Sequence, residues 1–163
     1  MIRKVINNSD IEVTAQLAHK IWNDHYVPII GQNQVDYMLD KFQSFNAISN
    51  QLKNGYEYFL ISENNEAIGY LGLISSSNSK KMMISKIYTE KDVRGAGFGK
   101  QLIDFTIKLA KETGMEIIWL TVNKNNSNAI KWYQKFNFKI KKEVEMDIGN
   151  GFIMDDFVME LQL

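Results

Sequence analysis

The stretch Val93-Arg94-Gly95-Ala96-Gly97-Phe98-Gly99-Lys100 stands between a strand pattern and a helical pattern. Apolar residues recur at strand spacing from about 82 to 89 and at helical spacing from about 97 to 112. Backbone N–H groups of such a turn and of a helix N-terminus converge on one point of positive potential, and Arg94 and Lys100 add charge beside it. The stretch predicts a phosphate site, although a glycine-rich turn can also serve only as a tight connection.

The spacing of the glycines and the absence of other motifs narrow the chemistry. The loop reads G-x-G-x-G, so it lacks the G-x-G-x-x-G of dinucleotide folds and the G-x-x-x-x-G-K-[ST] of nucleoside triphosphatases. The chain contains no cysteine, no G-x-S-x-G elbow and no H-E-x-x-H metal spacing. These observations disfavour the two nucleotide classes, exclude a cysteine nucleophile and give no reason to expect a metal.

Outward from the loop, the patterns predict an α/β (α+β) chain. The predicted order is β-αα-βββ-α-β-α-ββ, a mixed sheet flanked by helices, because helices fall where parallel strands need crossovers. We expect Asp10 to cap the first helix, and we expect Phe138, Ile140, Val144, Met146 and Ile148 to share one face of a strand. The other predicted strands are 2–6, 56–62, 67–74, 82–89, 116–122 and one after the turn 149–151, and the other predicted helices run through Val35 to Phe42 and over 127–136.

Length and charge predict one domain without a nucleic acid or membrane partner. The 163 residues are 45% hydrophobic, which suits a single core, so we expect one domain over 1–163. Lysine plus arginine and aspartate plus glutamate both count 19, so no net field attracts nucleic acid or an anionic membrane. The first residues turn polar before a signal-type apolar run forms, and we therefore expect a cytoplasmic protein.

Two motifs give the chain a family resemblance. Arg94-Gly95-Ala96-Gly97-Phe98-Gly99 resembles the R/Q-x-x-G-x-G/A pyrophosphate loop of the GCN5-related N-acetyltransferase (GNAT) family. The segment from Asn126 to Phe138, N-S-N-A-I-K-W-Y-Q-K-F-N-F, resembles that family's second motif, N-x-x-A-x-x-x-Y-x-x-x-G-F. Asn137 replaces the usual glycine, and asparagine tolerates the left-handed backbone that a helix end often needs.

The resemblance implies a GNAT-type fold, with a splayed sheet that holds the pantetheine arm of acetyl-coenzyme A (acetyl-CoA). It implies that the Tyr133 hydroxyl protonates the departing thiolate as a general acid. Asn126 is expected to cap the short helix and also to contact the cofactor. The implied cofactor-binding residues are Ile87, Tyr88 and Thr89 for the arm, Arg94, Gly95, Ala96, Gly97, Phe98, Gly99 and Lys100 for the pyrophosphate, Tyr133 for the sulfur, and Asn126.

The acceptor amine is less defined. The segments 37–44, 55–58 and 147–160 are similar to bacterial spermidine/spermine acetyltransferases, which implies a polyamine acceptor and carboxylates that bind it. Another amine (amino acid, aminoglycoside or protein amino terminus) and a non-catalytic acyl-CoA-binding regulatory protein remain open, and a homodimer is reasonable. The general base is unassigned, because His25 suits a plain helix end better. The candidate carboxylates are Asp24, Asp36, Glu57, Asp155 and Asp156, of which the last two cannot share a strand face.

Overall fold

The structure, a computed structural model, describes residues 1–163 and contains seven strands in the predicted sequence order. One sheet contains them in the spatial order β1-β2-β3-β4-β5-β7-β6. The strands are β1 (Ile2–Lys4), β2 (Glu57–Glu63), β3 (Glu66–Ser76), β4 (Lys81–Thr89), β5 (Ile117–Asn123), β6 (Lys139–Gly149) and β7 (Phe152–Gln162). The helices are α1 (Asn8–His25), α2 (Val27–Ile30), α3 (Gln32–Met38), α4 (Phe45–Lys53), α5 (Phe98–Glu112) and α6 (Ser127–Gln134), with a π-helix (Leu39–Gln43) after α3 and a 3₁₀-helix (Lys91–Val93) after β4.

The chain forms two compact units. The first unit comprises Met1–Ile74 and Lys86–Thr106, and the second comprises Ser75–Ser85 and Ile107–Leu163. The single domain expected over 1–163 stays a prediction.

In the first unit, β1, β2 and β3 pair antiparallel. The polar turn between β2 and β3 has Asn64 and Asn65 at φ values of 50° and 67°, the left-handed backbone that suits a tight hairpin. Apolar side chains of both strands are buried, among them Leu60, Ile61 and Leu71. The predicted hairpin is confirmed.

The start of α1 differs from the expectation that Asp10 caps it. The helix begins at Asn8, and the side chain of Asn7 is the cap that accepts a hydrogen bond from the amide of Asp10. Asp10 is 5% exposed and pairs with Arg3. Burial raises the pKa of Asp10, but hydrogen bonds from Arg3 and the amide of Ile6 outweigh it and lower the pKa overall. Asp10 therefore ties β1 to α1.

The region between α1 and β2 contains more helix than the sequence indicates. The π-helix extends the predicted helical stretch, and α4 follows it. Ser44 caps α4 by accepting from the amide of Ala47, while Ile48 is the buried residue of this helix. The predicted helical stretch ends at Phe42, so α4 is a helix that sequence reasoning missed.

The second unit contains the parallel pair of the sheet. Strand β4 pairs with β5 in parallel over Lys81–Met83, while β5 pairs antiparallel with β7 along its full length. This short parallel pairing agrees with the splayed sheet that the family resemblance implies. No helix of the chain has the length and apolar character needed to cross a membrane.

The expectation that the apolar residues of β6 share one face is wrong. A bulge between Ile140 and Lys142 sets Ile140 opposite Met159 and Val144 opposite Asp156. Positions 159 and 156 lie on opposite faces of β7, so Ile140 and Val144 do too. Ile140 and Met146 are 42% and 45% exposed, as befits the last strand of the sheet.

Candidate functional site

The glycine loop leads from the 3₁₀-helix into α5. Gly95 and Gly97 have φ values of 86° and 91°, a conformation that L side chains rarely adopt. The helix begins at Phe98, one residue later than predicted, and the amide of Gln101 bonds to the carbonyl of Gly97. The amides just before Gln101 therefore have no acceptor within the helix.

The space over this loop is open. A Cβ atom built on Gly95 or on Gly97 would meet no heavy atom within 4 Å. A tight connection would explain the positive φ values of Gly95 and Gly97. It would not explain the open space above them, since no neighbouring atom excludes a side chain there. Open space, a helix N-terminus and unbonded amides fit a diphosphate.

Two cations flank the loop, as the sequence predicts. Arg94 is exposed, and its Nη1 lies 3.4 Å from Nδ1 of His25 at the end of α1. Lys100 is exposed in the first turn of α5, where it pairs with Asp104. Exposed pairs of this kind contribute little to stability, so both cations are available to an anionic ligand.

An aromatic cluster that sequence reasoning missed holds the end of β4. The ring of Tyr88 lies 5.6 Å from Trp22, 6.1 Å from Tyr26 and 5.4 Å from Tyr70, measured between centroids. Its side chain thus packs within the first unit, whereas Ile87 and Thr89 point to the other face of the strand. All three residues at this strand end are only partly buried.

Gly69 of β3 lets this strand end approach closely. A Cβ atom at position 69 would lie 2.6 Å from the carbonyl oxygen of Tyr88, a separation that real Cβ atoms essentially never show. The amide of Glu90 also bonds to the carbonyl of Ile68 at 2.9 Å. Strand β3 therefore fixes the backbone proposed to hold the pantetheine arm.

A buried lysine on β4 is a second feature without a sequence signal. Lys86 is 5% exposed, and its Nζ lies 3.1 Å from Oε1 of Gln51. The ammonium also lies 5.3 Å and 5.6 Å from the ring centroids of Tyr58 and Tyr56. Burial lowers the pKa of Lys86 from 10.5 to about 8.

Because the pKa of Lys86 is lowered in the folded chain, the free energy of unfolding is expected to change with pH in the alkaline range. Between pH 8 and 10.5 the unfolded chain binds more protons than the folded one, so the free energy of unfolding rises with pH, by up to about 3 kcal/mol. Lys86→Met is expected to raise stability at pH 7 and to flatten this rise, as measured by urea unfolding. The exposed Lys53→Met is the control and should keep the wild-type rise, and a rise that persists in Lys86→Met would contradict this account.

In the second unit, Asn126 and Tyr133 mark the ends of α6. Asn126 is 4% exposed, and its side chain accepts from the amide of Ala129 at 3.4 Å, which confirms that it caps the helix. The ring of Tyr133 packs against Trp132 and Phe138, and the residue is 9% exposed. Asn137 has a φ of 66°, so the left-handed backbone expected there is confirmed.

The five candidate carboxylates lie in different environments. Asp24 and Asp36 are exposed, and Glu57 pairs with Lys4. Asp155 is partly buried and lies 2.7 Å from Nζ of Lys124, whereas Asp156 is 1% exposed. The two neighbours occupy opposite faces of β7, as strand alternation predicts.

The family of this chain follows from comparison with known proteins. The profile of the acetyltransferase (GNAT) family matches residues 16–138, so the chain belongs to that family. Both motifs lie within this segment, and the predicted GNAT-type fold is confirmed.

Individual relatives have different described substrates. The chain is 30% identical over 109 residues to the ribosomal protein bS18-alanine N-acetyltransferase of Haemophilus influenzae, covering 67% of this chain and 69% of that protein. It is 25% identical over 100 residues to the peptidyl-lysine N-acetyltransferase of Salmonella typhimurium, covering 61% of each. The chain spans between 41% and 61% of the length of several curated relatives that it matches.

One solved structure extends the likeness to the whole fold. A PaiA N-acetyltransferase of Thermoplasma acidophilum, crystallised in complex with coenzyme A, superposes with a TM-score of 0.82. It covers 100% of this chain and 98% of its own at 22% identity.

Proposed function

We propose that this chain transfers the acetyl group of acetyl-CoA to an amine by direct attack. The observation that supports this most is the loop at the start of α5, where Gly95 and Gly97 leave open space beside amides that lack helical acceptors. Arg94 and Lys100 add positive charge there. Such a site suits the diphosphate of a nucleotide-type cofactor, and family membership makes acetyl-CoA the natural choice.

The other proposed contacts divide between the strand end and α6. Backbone groups of Ile87 to Thr89 bond the amides of the pantetheine arm, and one N–H there polarises the acetyl carbonyl. Asn126 contacts the cofactor while it caps α6. The hydroxyl of Tyr133 gives its proton to the departing sulfur. None of these steps requires a metal ion.

The finer proposal is a polyamine acceptor such as spermidine or spermine. It is supported by the similarity of segments 37–44, 55–58 and 147–160 to polyamine acetyltransferases and by the carboxylates of Asp155 and Asp156 near the start of β7. A protein amine is the second candidate, because relatives are described as acting on a protein alanine and on peptidyl lysine. We place the reaction in the cytoplasm, without nucleic acid or membrane partners.

Thiol release from acetyl-CoA tests both levels of this proposal. The acceptors are spermidine, spermine, a free amino acid, an aminoglycoside, a peptide with amino-terminal alanine and an amino-terminally blocked peptide with lysine. Turnover with spermidine and spermine above the other amines supports the polyamine proposal, and turnover with another amine alone refutes it. If the cofactor binds but no amine reacts, the chain is a non-catalytic acyl-CoA-binding protein.

A further inference from the structure

The most deeply buried carboxylate of the second unit is a side chain with an unmet hydrogen-bonding capacity. Asp156 of β7 is 1% exposed, and its Oδ1 has no hydrogen-bond partner. Thr121 of β5 supplies a side-chain hydrogen bond to the carboxyl group. Native proteins seldom bury a carboxylate oxygen without a partner, because its lost hydration is not replaced. This oxygen therefore suits a donor that a ligand brings.

Asp156 lies beside the end of β5, where the chain leaves the sheet toward α6. Asp156 pairs with Asn123, the last residue of β5, and it shares a strand face with Asn123 and Thr121. The chain leaves β5 at this point and reaches Asn126 and then Tyr133 on α6. The buried, unpartnered oxygen thus lies beside the end of β5, from which the chain continues to α6 and the proposed acid.

Burial and the neighbouring charges set the pKa of Asp156. Burial raises the pKa of Asp156 to about 6; Asp155 also raises it, while the hydrogen bond of Thr121 and the charge of Lys124 lower it. Val144, directly opposite on β6, adds no charge, and its neighbour Glu143 pairs with Lys124. A carboxylate that titrates near neutral pH is well matched to act as a general base in the cell.

We propose that Asp156 binds the ammonium group of the acceptor through Oδ1 and takes one of its protons, a role that rests on the acetyl transfer proposed above. One N–H bond breaks, the proton moves to Oδ1, and the freed lone pair attacks the acetyl carbonyl carbon. The C–S bond then breaks with its electron pair on sulfur, and Tyr133 gives a proton to that sulfur. Nitrogen loses its second proton to restore the Tyr133 hydroxyl, and Asp156 returns its proton to water.

The pH profile of Asp156→Asn tests this role. Wild-type kcat/KM for the acceptor should fall below about pH 6, because protonated Asp156 cannot accept a proton. Asp156→Asn should lower kcat/KM at least about 100-fold and lose that acidic limb, while its affinity for acetyl-CoA by calorimetry stays unchanged. Asp156→Glu should restore part of the rate together with an acidic limb. Glu112→Gln, which changes an exposed carboxylate of α5 in the same unit that no proposed contact uses, is the control and should keep the wild-type profile.

The outcomes separate this inference from the transfer reaction itself. An Asp156→Asn variant that keeps the wild-type rate and limb overturns the role of Asp156 and leaves the reaction standing. A wild-type chain that binds acetyl-CoA but acetylates no amine contradicts the reaction, and the role of Asp156 falls with it. If Asp156→Asn does not fold, Asp156→Glu decides, because a displaced limb supports the role and an unchanged limb overturns it.

Discussion

Replacement of Tyr133 by phenylalanine is expected to lower kcat about 100-fold or more while affinity for acetyl-CoA changes little. The ring packs against Trp132 and Phe138, and phenylalanine keeps those contacts. The change removes only the hydroxyl, whose proton matters when the C–S bond breaks. A proton donor to a leaving group acts mainly in the transition state, so turnover should fall much more than binding.

The measurement compares thiol release with calorimetric binding of acetyl-CoA. Tyr37→Phe is the matched control, since it removes a hydroxyl that accepts from Lys41 and should leave turnover at the wild-type level. Equal losses of turnover and affinity in Tyr133→Phe would instead assign this tyrosine to packing.

Replacement of Gly97 by valine is expected to abolish detectable binding of acetyl-CoA. The valine side chain would enter the open space over the loop, where the diphosphate is proposed to bind. The φ of 91° at position 97 also disfavours any L residue. Strain alone would lower stability by roughly 1–2 kcal/mol without blocking a ligand. The steric effect and the strain therefore need separate readouts.

Gly114→Val separates them. Gly114 follows α5 at a φ of 73°, and a Cβ atom there also meets nothing within 4 Å. Both variants should unfold at a similarly reduced temperature, but only Gly97→Val should fail to bind acetyl-CoA in calorimetry. Normal binding by Gly97→Val would refute the assignment of the loop.

The strands and the loop were predictable because their signals are local. Alternation and apolar runs define β2 to β5, and asparagine pairs or glycines define the turns, as at Asn64 and Asn65. The left-handed backbone at Asn137 was likewise predictable, because a helix end often needs this conformation. Local propensity and tertiary structure agree at these positions.

Other features depend on contacts that no local pattern encodes. A single bulge places Ile140 and Val144 on opposite faces, although uninterrupted alternation predicts one face. The burial of Lys86 and Asp156 and the convergence of aromatic rings on Tyr88 follow from the pairing of distant segments. Asp156 is one of five candidate carboxylates in the sequence, and only the burial of its side chain in the structure distinguishes it from the other four.

A crystal structure with acetyl-CoA bound tests most directly whether the start of α5 holds the diphosphate. Diphosphate oxygens are expected within hydrogen-bond distance of amides between Gly95 and Lys100. A cofactor bound elsewhere, or a loop closed over these amides, would contradict this expectation.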